Sequence, residues 1–307
     1  MLKKKAIRKI LITSLTIVIL LMIYIMPGES DSIDTLNIEP QIEYKDTKVG
    51  YIYLLNDNDL LVRTNVLMEK DESLEKQVME ILNKLKNSTA IPKELRTLLP
   101  KKLKINSIDI DNDYLSISLS KDILKVDENL QEKVIESIVY SIFEIKDIKT
   151  ISIYVNEENI SKYFKQVPSK ITRDYGINKK YDIKSFKDIQ KVVVYYINEI
   201  ENNKYMVPVT SYVNNDEDKI KIIIESLSSN YIYEPNLVSL LNSKAKLLSY
   251  EINDDVMRLN FNNSIFVSDG NILEEVVYTI GYSVFDSYDI NKIVFNVDNQ
   301  KIKEIVR

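Results

Sequence analysis

The sequence contains an internal duplication, and this feature constrains the fold more than any other. Residues 99–160 align with residues 241–302 at an offset of 142 without a gap, and 20 of the 62 aligned positions are identical. Upstream the offset becomes 145, which pairs Val62 with Val207. Chance similarity between low-complexity segments would not keep one register through several helix-like and strand-like stretches, so the chain contains two copies of one structural unit.

Each copy has the hydrophobic pattern of an α+β unit with the element order β-β-α-β-β-α-β. Residues 115–119 and 257–261 alternate apolar and polar side chains, as in a half-buried strand. Residues 72–86 and 129–145 carry apolar side chains at helical spacing. Strands and helices intermix without regular βαβ spacing, which predicts two tandem small α+β domains. We expect two helices on one face of a small sheet in each copy.

The N-terminus has the pattern of a membrane signal. Five cationic residues precede any acidic residue, and an apolar run of 17 residues follows at positions 10–26. That length lies near the lower end of the roughly 17–25 residues that span a bilayer. No small-x-small cleavage site follows Met26, which favours an uncleaved anchor, a transmembrane helix, over the cleaved signal of a secreted protein. The cationic flank predicts a single-pass protein of the cytoplasmic membrane, with its N-terminus inside and its C-terminal domains extracytoplasmic.

The composition excludes several kinds of active site and partner. The chain has no His and no Cys, and only 5 Gly, which excludes a Ser-His-Asp triad, a Cys nucleophile, an ordinary zinc site and a Gly-rich phosphate loop. The net charge is −5, and the N-terminal segment carries five positive charges, so residues 10–307 carry −5 − 5 = −10. An acidic ectodomain does not offer the basic surface that nucleic acid requires. We predict no cofactor, no metal and no nucleic-acid partner.

Two groups of residues are candidates for a site. Asp109, Asp111 and Asp113 have the opening spacing of a calcium loop, but Tyr and Ser stand where that loop needs Gly and Glu, so a hairpin turn explains the pattern better. Tyr231 and Tyr233 lie in a short loop of the second copy and are the candidate interaction residues. No residue is predicted to be catalytic.

The chain divides into a membrane anchor, a polar stalk, two domains and the segment that joins them. The interdomain segment contains Tyr163, Phe164, Tyr175 and Tyr181, and we therefore expect it to pack on the domains. The predicted boundaries are 1–27 for the anchor, 28–47 for the stalk, 48–160 for the first domain, 161–187 for the interdomain segment and 188–307 for the second domain.

Several stretches of the two copies together match a known domain. They are the opening strand 51–55, Leu98-Leu99-Pro100, the hairpin 108–119, the passage 138–155, and residues 275–280 and 294–298 of the second copy. On these residues the repeated unit resembles the GerM (GerMN) domain of sporulation and spore germination proteins from endospore-forming bacteria. The resemblance covers most of residues 48–160 and 189–303.

The resemblance implies interaction in place of catalysis. GerM domains are similar to ring-building motifs of the channel that joins mother cell and forespore, so the implied partners are envelope or sporulation-complex proteins, with the cytoplasmic membrane bound through residues 10–26. Two function classes stay open. The first is a non-enzymatic interaction module supporting a sporulation or germination assembly in the envelope. The second is a peptidoglycan-binding or cell-wall hydrolytic protein that uses paired carboxylates.

Overall fold

The structure is a computed structural model that describes residues 2–25, 46–70, 72–87, 91–185, 187–214, 216–229, 236–267 and 270–307. The helices are α1 (Leu2–Ile25), α2 (Leu74–Lys86), α3 (Gln131–Ile142), α4 (Lys219–Ser228) and α5 (Glu274–Phe285). The strands are β1 (Thr47–Leu55), β2 (Leu61–Glu69), β3 (Ile105–Asp111), β4 (Tyr114–Leu119), β5 (Thr150–Val155), β6 (Glu158–Asn159), β7 (Lys180–Asp182), β8 (Ile189–Ile200), β9 (Asn203–Asn214), β10 (Leu237–Val238), β11 (Leu247–Asn253), β12 (Val256–Phe261), β13 (Lys292–Val297) and β14 (Gln300–Val306).

The N-terminal helix α1 belongs to a unit of its own, residues 1–45. Among the described residues, no helix combines the length and the hydropathy needed to cross a membrane. The transmembrane anchor predicted above is therefore not shown. Most of the predicted stalk lies outside the described residues.

The mixed α+β architecture and the predicted element order of each copy are confirmed. Both copies lie in one unit, residues 46–307. In the two alternating strands, β4 and β12, every second side chain is buried. The second predicted helix of copy one is shorter than expected, because residues 128–130 form a 3-10 turn and α3 ends at Ile142.

The arrangement of the strands differs from the expected single sheet per copy. The opening hairpins of both copies join in one six-stranded sheet with the order β1-β2-β9-β8-β10, in which β7 also pairs with β9. Each copy keeps its own four-stranded sheet, β3-β4-β5-β6 or β11-β12-β13-β14. The helices contact both kinds of sheet: α2 packs on β1 and β3, and α5 packs on β8 and β14.

A helix that is buried on all sides explains this arrangement. In α3 every residue from position 134 to 142 is buried, so this helix has no face left for solvent. A helix on one face of a single sheet would leave its outer side in water. The shared sheet covers that side, and the duplication supplies half of its strands.

The shared sheet has a defect where the two hairpins meet. Strands β2 and β9 pair only at Arg63 and Met206. Because backbone groups alternate in direction along the strand, the next residue of β9 that faces β2 is Pro208, which has no N–H to continue the ladder. The Asn178 side chain fills this gap: its Oδ1 accepts from the Leu61 N–H at 2.9 Å, and its Nδ2 donates to the carbonyls of Leu61 and Pro208, both at 2.8 Å.

The interdomain segment is part of the folded unit. The side chains of Phe164 and Tyr175 are buried, which confirms for these two residues that the segment packs on the domains. The Ile177 carbonyl accepts from the Thr210 N–H, and β7 then pairs in parallel with residues 211–213 of β9. Tyr163 and Tyr181 are exposed.

Replacing Asn178 tests whether its amide holds the two hairpins together. Asn178→Ala leaves the Leu61 N–H and two buried carbonyls without partners, so we expect the free energy of unfolding to fall by about 2–4 kcal/mol. Urea denaturation followed by circular dichroism measures this change. Asn156→Ala, in an exposed turn, is the control and should change stability by no more than about 1 kcal/mol. Equal losses in both variants would contradict this role.

Candidate functional site at the seam between the repeats

The two copies meet through residues that contact their own counterparts. The hydroxyl groups of Tyr53 and Tyr195 lie 3.3 Å apart, and the Asn56 Nδ2 donates to the Asn198 Oδ1 at 3.0 Å. Both pairs are separated by 142 residues in the sequence. A residue that touches its own equivalent must lie near a local two-fold axis, so the copies are related by pseudo-two-fold symmetry. We call this region the seam, defined by Tyr53, Tyr195, Asn56, Asn198 and the carboxylates and arginines described next.

A serine fixes each copy's second helix to its opening strand. The Tyr53 N–H donates to the Ser141 Oγ at 2.9 Å, and the Tyr195 N–H donates to the Ser283 Oγ at 2.8 Å. All four residues have less than 3 % of their surface exposed. The helix and the tyrosine therefore hold the same relative position in both copies.

Each seam tyrosine donates to the carboxylate that follows the second helix of its own copy. The Tyr53 hydroxyl lies 2.9 Å from the Glu144 Oε1, and the Tyr195 hydroxyl lies 2.8 Å from the Asp286 Oδ2. Glu144 also accepts two bonds from the Arg63 guanidinium, at 2.9 and 2.8 Å. Such a two-bond arginine pair is among the strongest polar contacts in proteins.

The second carboxylate takes its arginine from a different place. Arg63 lies opposite Tyr53 in the β1–β2 ladder, and the residue opposite Tyr195 in the β8–β9 ladder is Pro208. The interdomain segment supplies the missing cation, since Arg173 donates to the Asp286 Oδ1 at 3.0 Å. The duplicated site is therefore completed by residues outside the duplication.

The surroundings set the protonation states of the seam. Burial raises the pKa of Glu144, but the hydrogen bonds and charge of Arg63 outweigh it and hold this pKa below its usual value. Burial raises the pKa values of the Tyr53 and Tyr195 hydroxyls well above 10. At neutral pH the phenols are therefore protonated donors and Glu144 is an ionised acceptor.

This electrostatic state suits a structural joint better than acid catalysis. A two-carboxylate glycosidase needs one carboxyl with a raised pKa facing its substrate. Burial does raise the pKa of Glu136, but only 1 % of that side chain is exposed. It accepts from the Asn178 N–H and lies 3.5 Å from Lys133 and 3.8 Å from Lys179. A substrate would have to displace this packed network to reach Glu136.

The seam opens to solvent at one end, in a cleft of about 410 Å³. Its floor contains Arg63, whose guanidinium lies 3.3 Å from the centre of the Tyr51 ring and 4.4 Å from that of Tyr282. The ends of α3 and α5 form walls, together with residues 306 and 307. The cleft therefore gives a partner access to this end of the seam.

The residues singled out in the sequence lie elsewhere. Tyr231 and Tyr233 fall outside the described residues. Asp111 and Asp113 flank a hairpin turn in which Asn112 has a φ of 55°, and the second copy has the same turn at Asp254. Within the ranges described, no three acidic residues come together in a way that could hold a metal ion. The strand tyrosines Tyr53 and Tyr195, in contrast, are buried.

Sequence reasoning missed the seam itself. A signal was available, because polar residues recur at an offset of 142 within otherwise apolar segments. These pairs are Tyr53 and Tyr195, Asn56 and Asn198, Ser141 and Ser283, and Glu144 and Asp286. A polar residue kept in both copies on an apolar element indicates a buried bond. Arg173 carried no such signal, because it has no counterpart in the repeat.

Neutralising one seam carboxylate tests the energetic role of the network. Glu144→Gln keeps the volume but leaves the buried Arg63 without its counter-ion, so we expect a loss of about 3 kcal/mol at neutral pH. Chemical denaturation measures it. Glu158→Gln removes a carboxylate from an exposed pair with Lys162 and is the matched control, with an expected loss below about 1 kcal/mol.

The pH dependence gives a second readout of the same pair. Because the pKa of Glu144 is lower in the folded than in the unfolded protein, its ionised form stabilises the fold above the unfolded pKa of about 4.3. This contribution is lost as the pH falls through the folded pKa. The stability difference between the wild type and Glu144→Gln should therefore shrink from pH 7 toward pH 3. A difference that stays constant over this range would show that folding does not lower the pKa of Glu144.

Comparison with known proteins places this tandem in a family. The sequence profile described as "Germane: Sporulation and spore germination" matches residues 51–161 and again residues 193–303. The spore germination protein GerM of Bacillus subtilis strain 168 is 25 % identical over 284 residues, which span 89 % of this chain and 76 % of that protein. These matches confirm the resemblance drawn from the sequence.

A solved structure supports the same assignment at the level of the fold. The tandem GerMN domains of the sporulation protein GerM from Bacillus subtilis superpose with a TM-score of 0.73 at 21 % identity, covering 85 % of this chain and 97 % of that one. The tandem arrangement of the two copies is thus common to both proteins. With two profile matches that together span most of its length, this chain belongs to the Germane family of sporulation and spore germination proteins.

Proposed function

We propose that this protein is a non-enzymatic interaction module of an envelope assembly that forms during sporulation or germination, such as the channel between mother cell and forespore. The observation that supports this proposal most directly is the seam, which joins the two copies through buried polar groups that have hydrogen-bond partners. A rigid tandem presents its outer surfaces in a fixed geometry, as a module that positions several partners requires. Membership of a sporulation and spore germination family supports the cellular setting.

The chemistry of the seam supports a role without turnover. Its carboxylates are bound to arginines and tyrosines of the same chain, and the pKa of Glu144 is lowered. A hydrolase would need a carboxyl available to substrate in its protonated form. The seam residues serve the association of the copies, and partners bind to surfaces around them.

The N-terminal segment holds this module at the cytoplasmic membrane, with both domains outside. The support is the sequence pattern of five cations followed by a 17-residue apolar run. Leu20→Lys combined with Leu21→Lys should move the protein from the membrane fraction to the soluble fraction. Leu20→Val with Leu21→Val keeps the run apolar and is the control. A wild type that appears shortened and secreted would contradict the anchor.

Crosslinking in sporulating cells tests the assembly role. We expect the tagged full-length protein to recover proteins of the mother cell–forespore channel, and the double-lysine variant to lose them. Purified peptidoglycan provides the competing test. Retention of the protein on peptidoglycan with release of soluble fragments, and without channel proteins in the crosslinked sample, would overturn the proposal in favour of a cell-wall enzyme.

Tyr231 and Tyr233 remain proposed contacts with such a partner. Replacing both with Ser removes aromatic surface of the kind enriched at interfaces, so partner recovery should fall at least fivefold without a change in thermal stability. The exposed Tyr163 of the interdomain segment, replaced by Ser, is the control. Unchanged recovery in the double variant would remove this loop from the interface.

A further inference from the structure

The outer edge of β1 is closed at one end and open at the other. At Leu55 the edge pairs with Arg96, and at Tyr53 its N–H and carbonyl bind serines of α3. Because bonded and non-bonded pairs alternate along an antiparallel ladder, Val49 and Tyr51 also point their N–H and carbonyl groups away from β2. No residue in the described ranges forms a hydrogen bond with these four groups.

The open part of the edge borders the cleft at the end of the seam. The helix α3 covers the edge as far as Tyr53 and then ends at Ile142. Beyond this point the cleft of about 410 Å³ separates residues 48–51 from residues 144–146 and 306–307. We call this space the edge groove. It runs beside unpaired backbone groups, which are a template for a further strand.

The mouth of the edge groove has exposed apolar side chains. Val49 is 57 % exposed, its cross-strand neighbour Leu67 is 65 % exposed and Val306 is 64 % exposed. In the second copy the position of Val49 is taken by Lys191, whose ammonium binds Asp174 at 2.7 Å. The apolar mouth is therefore particular to the first copy.

The edge groove is positively charged within an acidic protein. Lys48 and Lys146 line it, and their ammonium groups donate to the Gln77 Oε1 at 3.0 Å and to the main-chain oxygen of Arg307 at 2.5 Å. Arg173 and Arg307 share the single carboxylate of Asp286, at 3.0 and 3.5 Å. Residues 10–307 as a whole carry a net charge of −10 (−5 − 5). A local excess of cations in this setting selects for an acidic ligand.

We propose that the edge groove binds an extended acidic segment of a partner protein, which adds to β1 as a further strand. The backbone of Val49 and Tyr51 supplies hydrogen bonds, the apolar mouth receives one or two apolar side chains, and the lysines pair with carboxylates of the segment. The inference rests on the proposed function and deepens it by naming a binding site and the chemistry of the partner.

Peptide binding to the full-length protein in detergent tests the site directly. The probe is a fluorescent peptide of about eight residues that alternates Glu with Val, compared with one that alternates Lys with Val. We expect the Glu peptide to bind and the Lys peptide to bind at least tenfold more weakly. Equal binding of both peptides, or of neither, would overturn the proposal.

Two substitutions connect binding to the two physical features of the groove. Val49→Pro removes an N–H that points away from β2 and leaves every β1–β2 hydrogen bond in place. It should therefore weaken binding of the Glu peptide about tenfold. Lys146→Glu should weaken binding of the Glu peptide at least fivefold, because it reverses a charge in the groove. Lys221→Glu, on the exposed side of α4, makes the same charge change elsewhere and should have no effect. Equal effects of Lys146→Glu and Lys221→Glu would contradict the site, and this comparison holds even if Val49→Pro fails to fold.

An apolar photo-crosslinker in place of the exposed Val306, which keeps the lysines of the groove, identifies the occupant in sporulating cells. A crosslink to an acidic segment of a different protein supports the proposal. A crosslink to a second copy, or to residues 28–45 of the same chain, overturns it. If the groove variants recover channel proteins as the wild type does, the edge groove fails while the proposed function stands. If the wild type recovers none and still binds the Glu peptide, the proposed function fails and the groove stands.

Discussion

The contact of each opening strand with its own duplicate is the constraint on which the rest of the fold depends. Tyr53 and Tyr195 meet at 3.3 Å, and their carboxylate partners, serine clamps and strands are thereby brought into one pseudo-symmetric arrangement. Buried polar groups are costly when unpaired and specific when paired. The seam therefore fixes one relative position of the two copies, where an apolar contact alone would tolerate several. The shared sheet and the position of the cleft both follow from it.

The two copies have equivalent residues where these contact each other at the seam, and they differ at the residue opposite each seam tyrosine. The residue opposite the seam tyrosine is Arg63 in one copy and Pro208 in the other. Pro208 ends the β2–β9 ladder and removes a cation, and the interdomain segment repairs both defects. Asn178 bridges the interrupted strands, and Arg173 replaces the missing arginine. The segment between the copies is therefore structural, which explains why it carries buried aromatic residues.

Much of the local structure could be predicted from the sequence, because it depends on periodicity. The alternation of β4 and β12, the turn residues at Asn112 and Asp254, and the helical stripes of α2 and α5 are properties of neighbouring residues. The offset of 145 holds for β2, as the sequence predicts, but the first strand keeps the offset of 142, since Tyr53 corresponds to Tyr195. The three additional residues therefore lie in the hairpin of the second copy, a detail that only the strand register reveals.

The order of residues is enough to predict that the chain is a tandem of two α+β units and that it has the motifs of a sporulation and spore germination family. The spacing of a repeat and the period of its hydrophobic residues are properties of the residue order, so both can be recognised without a structure. The three-dimensional packing was needed to establish that the opening hairpins join in one sheet, that Glu144 and Asp286 bind different arginines, and that the edge of β1 is open beside Val49. These features depend on residues 81 to 143 positions apart, whose proximity is set by packing and by the burial of polar groups, and no local pattern encodes it.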